Sequence, residues 1–384
     1  MRVLGFGTYD AQRHPRIEVL LDGMRAHGLD VSELVRPLGL STAERVRMLQ
    51  QPWRVAGLGA RVLSRWARLA VAARRRWPRP DVVVVGYLGH FDVLLARLLF
   101  PRSVVVLDHL VFAATTATDR GTPTGVRTWL LGLLDRAAIA AADVVVVDTD
   151  EHRALVPAGR RSDTVVAPVG APSAWFTAAA AQASGRAVGV DTPEGADGRL
   201  TVIFYGLFTP LQGAPVIGRA LRLLHERGVA VRATLVGDGQ DAAEVRDLVA
   251  GLDEVRWLPW VDPPELPAVV AAHDVCLGIF GASGKALRVV PNKVYQGAAA
   301  GTAVVTADTA PQRRVLGDAA VLVPPGSATA LADALARLAA DPGELAARRR
   351  AAADLAARAF TPAAVAAPVV EALQAVRPRA GGGR

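Results

Sequence analysis

The chain has 384 residues, more than one hydrophobic core usually serves, so two domains are expected. Hydrophobic residues make up 51% of it, yet no uninterrupted apolar run approaches the roughly 18–20 residues that a membrane-spanning helix needs. The single cysteine, Cys276, excludes an internal disulfide, and the N-terminus turns polar too early for a secretory signal. We therefore expect a cytoplasmic protein with a large core.

The net charge of +8 is unevenly distributed along the chain. Residues 45–79 contain ten arginines, three tryptophans and no carboxylate. Such a segment suits the headgroup region of an anionic membrane, where each nearby cation adds about 1 kcal/mol. It would also attract nucleic acid, but no zinc-finger spacing, aromatic RNA-binding motif or DNA-reading helix pair accompanies it. Two interpretations stay open, a solvated arginine-rich helix and peripheral contact with the inner face of an anionic membrane, and no nucleic-acid partner is expected.

In the first half of the chain, short β-branched runs alternate with longer helical patterns. Runs such as VVVV do not alternate with polar residues, so both faces of these strands should be covered, as in a parallel sheet between helix layers. The predicted strands are residues 2–7, 29–35, 81–86, 103–108, 143–149 and 164–170.

A second alternating series starts at Leu200, after an Ala-, Gly-, Ser- and Thr-rich stretch. We predict an α/β protein with two Rossmann-like, doubly wound parallel-sheet domains, whose facing sheet edges would leave a ligand cleft. The predicted segments are a first domain over residues 1–172, a linker over 173–199, a second domain over 200–358, a last helix over 359–378 and a disordered tail over 379–384.

Both lysines of the chain lie in one stretch, residues 281–301, which reads GASGKALRVVPNKVYQGAAAG. In a chain whose other basic side chains are arginine, a lysine suggests a need for a compact, rotatable ammonium. The stretch joins a buried-looking strand to a small-residue helix, so two cations and a helix N-terminus coincide. This combination favours an anionic ligand. The alternative is a pair of solvated surface lysines.

Several ordered segments carry a resemblance across nearly the whole chain. They include GTYDAQRHPR, VVVVGYLGHFDVLLA, VVLDHLVF, VIFYGLFTPLQGAPVI, TLVGDGQ and LGIFGASGKALRVVPNKVYQGAAAG. In this order they resemble glycosyltransferases of the GT-B fold, within family 4, which contains many retaining enzymes. The resemblance implies that the first domain holds the acceptor, that the second holds a nucleoside diphosphate sugar, and that the last helix crosses back to the first domain.

The chain departs from that family at the donor site. Arg288 and Gln296 stand where many relatives carry two glutamates, and Gln212 stands where relatives often place a phosphate-binding lysine. Gln296 can still hydrogen-bond a ribose hydroxyl, whereas Arg288 cannot accept a hydrogen bond. We expect Lys285, Arg288 or Lys293 to supply the missing cation. The predicted donor-binding residues are Gly206, Gln212, Gly213, Gly237, Lys285, Arg288, Asn292, Lys293 and Gln296.

Candidate catalytic residues lie in the first half, at the end of the VVLDHL strand. There the resemblance implies a histidine, so Asp108 and His109 are the candidates for orienting or deprotonating an acceptor hydroxyl. The predicted acceptor-binding residues are Gly7, Thr8, His14 and His90. Cations and backbone N–H groups can stabilise a leaving diphosphate without metal, so neither a cofactor nor a tightly held catalytic metal is expected.

These patterns predict transfer of a sugar from a nucleotide sugar to a hydroxyl of a glycan, a lipid-linked acceptor or a small molecule. Cell-envelope glycan, glycolipid and natural-product synthesis all fit this reaction. The replaced glutamates leave two alternatives on the same fold. One is a non-catalytic subunit that binds sugar nucleotides, and the other is a sugar-nucleotide epimerase, which would convert its donor without an acceptor.

Overall fold

The computed structural model describes residues 1–10, 15–39, 52–75, 79–86, 88–119, 125–185 and 198–376. The chain divides into two compact units, residues 1–167 with 365–384 and residues 168–364. Each unit contains a six-stranded parallel sheet with helices on both faces. The predicted α/β fold with two doubly wound sheets is confirmed.

The first sheet has the strand order β2-β1-β3-β4-β5-β6. Its strands are β1 Arg2–Gly7, β2 Asp30–Val35, β3 Val82–Val85, β4 Val104–Asp108, β5 Val144–Val147 and β6 Thr164–Val166. The helices of this half are α1 Pro15–Ala26, α2 Pro52–Arg74, α3 Asp92–Leu99, α4 Ala113–Asp119, α5 Val126–Ala141 and α6 Asp150–Leu155.

The valine runs of the first sheet are buried on both faces. In β3, Val83 and Val85 join one apolar cluster with residues of α2, α3 and α5, whereas Val82 and Val84 join another with residues of α1. Because successive side chains of a strand point to opposite faces, a strand covered on both sides needs an apolar residue at every position.

The second sheet has the order β12-β11-β10-β7-β8-β9. Its strands are β7 Leu200–Tyr205, β8 Val231–Val236, β9 Val255–Leu258, β10 Val275–Leu277, β11 Ala303–Ala307 and β12 Ala320–Val323. The remaining helices are α7 Ser173–Ala183, α8 Ala214–Glu226, α9 Ala242–Leu248, α10 Leu266–Ala271, α11 Asn292–Ala299, α12 Ala310–Leu316, α13 Ala328–Ala340, α14 Pro342–Ala359 and α15 Pro362–Ala375.

The structure changes the predicted boundaries of the linker. Residues 173–183 form helix α7 and belong to the second unit, which begins at Pro168. The alanine-rich composition predicts a linker, but in the structure these small side chains let α7 pack closely. Trp175 of this helix is buried and stacked on Tyr205. Residues 186–197 and the predicted tail lie outside the described residues.

The C-terminal stretch Pro342–Ala375 is long enough and apolar enough to span a membrane, judged by length and composition alone. It is nevertheless two helices, which divide between the units: Ala352 and Ala356 of α14 lie in a core of the second, and Val365 and Val369 of α15 in a core of the first. Core helices of globular proteins satisfy the same length and hydropathy criteria.

Glycines let three loops meet at the carboxyl ends of β7, β8 and β10. A Cβ at Gly237 would collide with the carbonyl oxygen of Gly206, and one at Gly213 would collide with the backbone of Phe280 and Gly281. Gly206, Gly213 and Gly237 all have positive φ. Backbone contact at this density is possible only without side chains.

Gly237→Ala should therefore lower the free energy of unfolding more than Gly228→Ala, its matched control. Both glycines have positive φ, but no atom lies within 4 Å of a Cβ at Gly228. We expect a loss of about 1–2 kcal/mol at Gly228, from the backbone conformation alone, and about 2–5 kcal/mol at Gly237, where the collision adds to it. Urea unfolding monitored by circular dichroism measures both, and equal losses would contradict the close approach.

Candidate functional site

The second sheet reverses its strand order beside β7. The chain passes from β7 to β8 on one side and later returns to place β10 on the other side of β7. In open α/β sheets, ligands bind at the carboxyl ends of the strands where such a reversal occurs. The loops that follow β7 and β10 meet at this point, where the amide of Phe280 donates to the Gln212 carbonyl oxygen at 2.9 Å.

Lys293 points its ammonium at this junction. It lies in the first turn of α11 and is 5% exposed. The Nζ atom donates to Oε1 of Gln212 at 2.5 Å and lies 3.9 Å from the centroid of the Phe204 ring. A Cβ at Gly206 would come within 3.4 Å of Nζ, so only glycine leaves the ammonium open on that side.

Burial lowers the pKa of Lys293 to about 7, well below its ordinary value, although the nearby Cys276 acts in the opposite direction. In the part of the chain that the structure describes, no carboxylate pairs with this ammonium. A buried cation with only an amide oxygen and aromatic faces as partners is stabilised when an anion arrives. The first N–H groups of α11 lie beside it and favour the same charge.

The other predicted donor residues differ in how far they are buried. Asn292 begins α11 and is exposed, while Lys285 and Arg288 are half-buried in the loop that precedes it. Gln296 is buried one turn further along the helix, and its Oε1 accepts a hydrogen bond from the Tyr205 hydroxyl at 2.9 Å. The carbonyl of Gln296 is therefore engaged within the protein. Gly237 contributes through its close contact with Gly206.

In the first unit, Asp108 is enclosed completely. Its Oδ1 pairs with Arg16 Nε at 3.2 Å, and Arg16 also donates to the carbonyl oxygen of Ala167 at 3.0 Å. Burial raises the pKa of the Asp108 carboxyl, the Arg16 guanidinium opposes this shift, and Asp148 adds to it. These contacts tie β4 to α1 and to the segment after β6. They give Asp108 a structural role, and its predicted catalytic role stays a prediction.

His109 and His90 lie together in a buried group with Asp135. Nε2 of His90 lies 2.9 Å from Oδ1 of Asp135, and the two histidine rings meet edge to face at 5.0 Å. Burial and then the neighbouring His90 lower the pKa of His109 to about 3, so its ring is neutral at pH 7. Although burial opposes it, hydrogen bonds from His90 and from the amides of Ala113 and Ala114 lower the pKa of Asp135.

Of the remaining predicted acceptor residues, Gly7 ends β1 and Thr8 follows it. Gly7 has positive φ, and Thr8 donates from its amide and its hydroxyl to Oδ2 of Asp92 at 2.7 and 2.8 Å. The other oxygen of Asp92 accepts from the indole N–H of Trp66 at 2.8 Å. Asp92 thus fixes the loop to α2. His14 lies outside the described residues.

Sequence reasoning missed three buried charged partners: Arg16, Asp92 and Asp135. Asp135 did have a signal, since it interrupts the apolar helix TWLLGLLDRAAIAA and a lone carboxylate there needs a partner inside. Arg16 and Asp92 stand in ordinary helical sequence. Their partners are 92 and 84 residues away along the chain, so no local pattern reveals them.

Comparison with known proteins matches the second unit to one family. Residues 199–341 match the family described as glycosyl transferases group 1. A phosphatidyl-myo-inositol mannosyltransferase of Mycobacterium leprae (strain TN) is 38% identical over 143 residues. That match covers 36% of this chain and only 37% of the relative.

Solved structures match over nearly the whole length. The sucrose-phosphate synthase of Thermosynechococcus elongatus has a TM-score of 0.69 at 16% identity, with 98% of both chains covered. HepE of Anabaena, solved with UDP-glucose, has a TM-score of 0.66 at 16% identity, covering 98% of this chain and 99% of that one. At such identities these likenesses show the fold. The predicted resemblance is confirmed: this chain has the GT-B fold of glycosyltransferases, and residues 199–341 match the glycosyl transferases group 1.

Proposed function

We propose that this protein is a glycosyltransferase that moves a sugar from a nucleoside diphosphate donor to an acceptor hydroxyl. The observation that carries the proposal is the buried ammonium of Lys293, which lies at the strand-order reversal of a group 1 domain and has no carboxylate partner among the described residues. The negative charge of a diphosphate would compensate the positive charge of this ammonium. The first donors to test are UDP-glucose, because HepE was solved with it, and a nucleotide mannose, because the M. leprae relative is a mannosyltransferase.

Lys293 would act mainly on the leaving group. Negative charge grows on the diphosphate as the bond to the sugar breaks, and a fixed cation in a water-poor site stabilises that charge strongly. The N-terminus of α11 adds its free N–H groups. On this account the reaction proceeds without a divalent metal, and retention of configuration follows from the family resemblance.

We further propose that the acceptor is presented at an anionic membrane surface. Helix α5 exposes Val126, Trp129, Leu130 and Leu133, which recur at helical spacing along one face. Helix α2 covers the same face of the first sheet and carries the exposed Arg61 and Arg68. An apolar and aromatic helix face on the same side of the sheet as exposed arginines suits a headgroup layer, so the expected location is the inner face of the membrane.

A non-catalytic binding subunit is the second candidate. The observation in its favour is Gln296, which replaces a glutamate of many relatives and is engaged by Tyr205. Such a subunit would bind the donor without transferring the sugar to any acceptor. An epimerase would convert the donor with no acceptor present. Product analysis with and without acceptor separates all three.

Lys293→Met should reduce sugar transfer by about 10²–10³-fold, the effect typical of losing one preorganised charge-stabilising group. The same change should raise the thermal unfolding midpoint, because the lowered pKa of Lys293 means that its ammonium is costly to bury. Arg219→Met, at an exposed ion pair with Glu244, is the control and should alter neither quantity. Unchanged donor turnover in Lys293→Met would contradict the proposed role.

Donor binding should weaken as the pH rises above 7. The free protein loses the Lys293 proton near pH 7. The two charges on the diphosphate of a nucleotide sugar do not change in that range, so affinity should fall by up to about tenfold per pH unit above it. Isothermal titration from pH 6 to pH 9 measures this, with Lys293→Met expected to show weak and pH-independent binding. A flat profile in the unaltered chain would rule out Lys293 as the titrating group.

Replacing both Trp129 and Leu130 by serine should release the protein from vesicles that contain anionic phospholipid. Co-sedimentation of such vesicles with the full chain measures the bound fraction, and added salt should lower it, because arginines contribute. Trp260→Ser is the matched control, since Trp260 is 69% exposed on the second unit. Equal binding by both variants would remove the membrane from the proposal and leave the donor chemistry intact.

A further inference from the structure

The group formed by His90, His109 and Asp135 contains one atom that the fold leaves unsatisfied. His109 is 2% exposed, and its Nε2 has no hydrogen-bond partner within the described ranges. Buried polar atoms are nearly always paired, and an exception calls for an explanation such as a bound ion. The neutral ring of His109 presents that nitrogen beside a second histidine and a carboxylate.

The ligand atoms of these three residues lie within 4.8 Å of one another. His109 Nε2 is 3.9 Å and His90 Nε2 is 2.9 Å from Asp135 Oδ1. Ligands of a tetrahedral zinc ion lie about 3.3 Å apart, given bond lengths of about 2.0–2.1 Å. The His90–Asp135 distance is shorter than that separation and the His109–Asp135 distance is longer, so a bound ion would require both rings to shift.

The carboxylate of Asp135 is already held in place by other contacts. The amide of Ala113 donates to Oδ1 at 2.9 Å and the amide of Ala114 donates to Oδ2 at 3.2 Å. Second-shell hydrogen bonds of this kind orient the ligands of metal sites. The same hydrogen bonds are also compatible with a metal-free interpretation, in which Asp135 only caps α4 and pairs with His90. That account leaves Nε2 of His109 unexplained.

An ion could approach the cluster on its Asp135 side. A groove of about 660 Å³ in the first unit is lined by Asp135 together with Phe112 and Ala114 and with residues of α5 and α6, whereas His90 and His109 are not among its lining residues. A metal site needs such an entry path as well as suitable ligands.

We propose that His90, His109 and Asp135 bind a divalent transition-metal ion of the zinc class. The ion would displace the proton shared by His90 Nε2 and Asp135 Oδ1, which would be released to solvent, and would accept the lone pair of His109 Nε2. Two imidazoles and one carboxylate suit zinc or cobalt better than calcium or magnesium, which prefer oxygen ligands. The ion would be structural, because it would join the loop after β3, the end of β4 and helix α5 within one unit.

The test is metal uptake by the full-length chain after treatment with a chelator. The chain is dialysed against Zn²⁺ or Co²⁺, and bound metal is measured by mass spectrometry, with the visible spectrum of Co²⁺ as a report of ligand geometry. We expect one equivalent per chain and a higher thermal unfolding midpoint with Zn²⁺. His109→Ala should weaken binding by at least the roughly 10- to 100-fold typical of losing an outer-shell partner.

His225→Ala is the matched control, because His225 also lies beside a carboxylate, Glu254, but in the second unit and exposed. It should leave uptake unchanged. If His109→Ala does not fold, as judged by circular dichroism, His90→Gln and Asp135→Asn test the same ligands separately. The proposal is overturned if the unaltered chain takes up no metal, or if it takes up metal that none of these three substitutions reduces.

Discussion

The interaction on which the account depends is the burial of one ammonium without an opposite charge. Lys293 is held by an amide oxygen and an aromatic face, and burial brings its pKa to about 7. A fold tolerates such a cost when binding of a ligand repays it, and an ionised diphosphate is the ligand class that fits the position. The nearby glycines keep this position accessible. A side chain at Gly206 would fill the space beside the ammonium, and one at Gly213 would push the loops apart.

The first unit uses its buried charges differently. Arg16 and Oδ1 of Asp108 form a buried ion pair, and Asp92 joins the loop after β1 to α2. Such paired charges are expensive to break and position backbone segments. In the cluster of His90, His109 and Asp135, Nε2 of His109 has no hydrogen-bond partner among the described residues, as is also the case for Oδ2 of Asp108, but only the histidine nitrogen lies beside a second histidine and a carboxylate. The two units therefore differ in kind: an unpaired cation in the second, and largely paired networks in the first.

Much of the fold could be predicted from sequence, because non-alternating valine runs and glycine turns are local signals. The six strands from Arg2 to Val166 lie close to where they were expected, and the second series begins at Leu200 as predicted. Helix α7 was missed because alanine-rich sequence suits both a linker and a tightly packed helix, and only Trp175 hints at burial. In the site, the rarity of lysine in the sequence indicated Lys293, and its role in donor binding stays a prediction. The structural role of Asp108 could not be predicted, because its partner Arg16 is brought to it only by the sheet order.

The most direct measurement is the pKa of Lys293 itself, before and after nucleotide is added. The chain has only two lysines, so ¹³C-labelled lysine gives two resolvable side-chain signals, and Lys285→Arg assigns them. The account predicts one amine that titrates near pH 7 in the free protein and at clearly higher pH with a nucleoside diphosphate bound. Two amines that titrate near the ordinary lysine value, both unmoved by nucleotide, would contradict it.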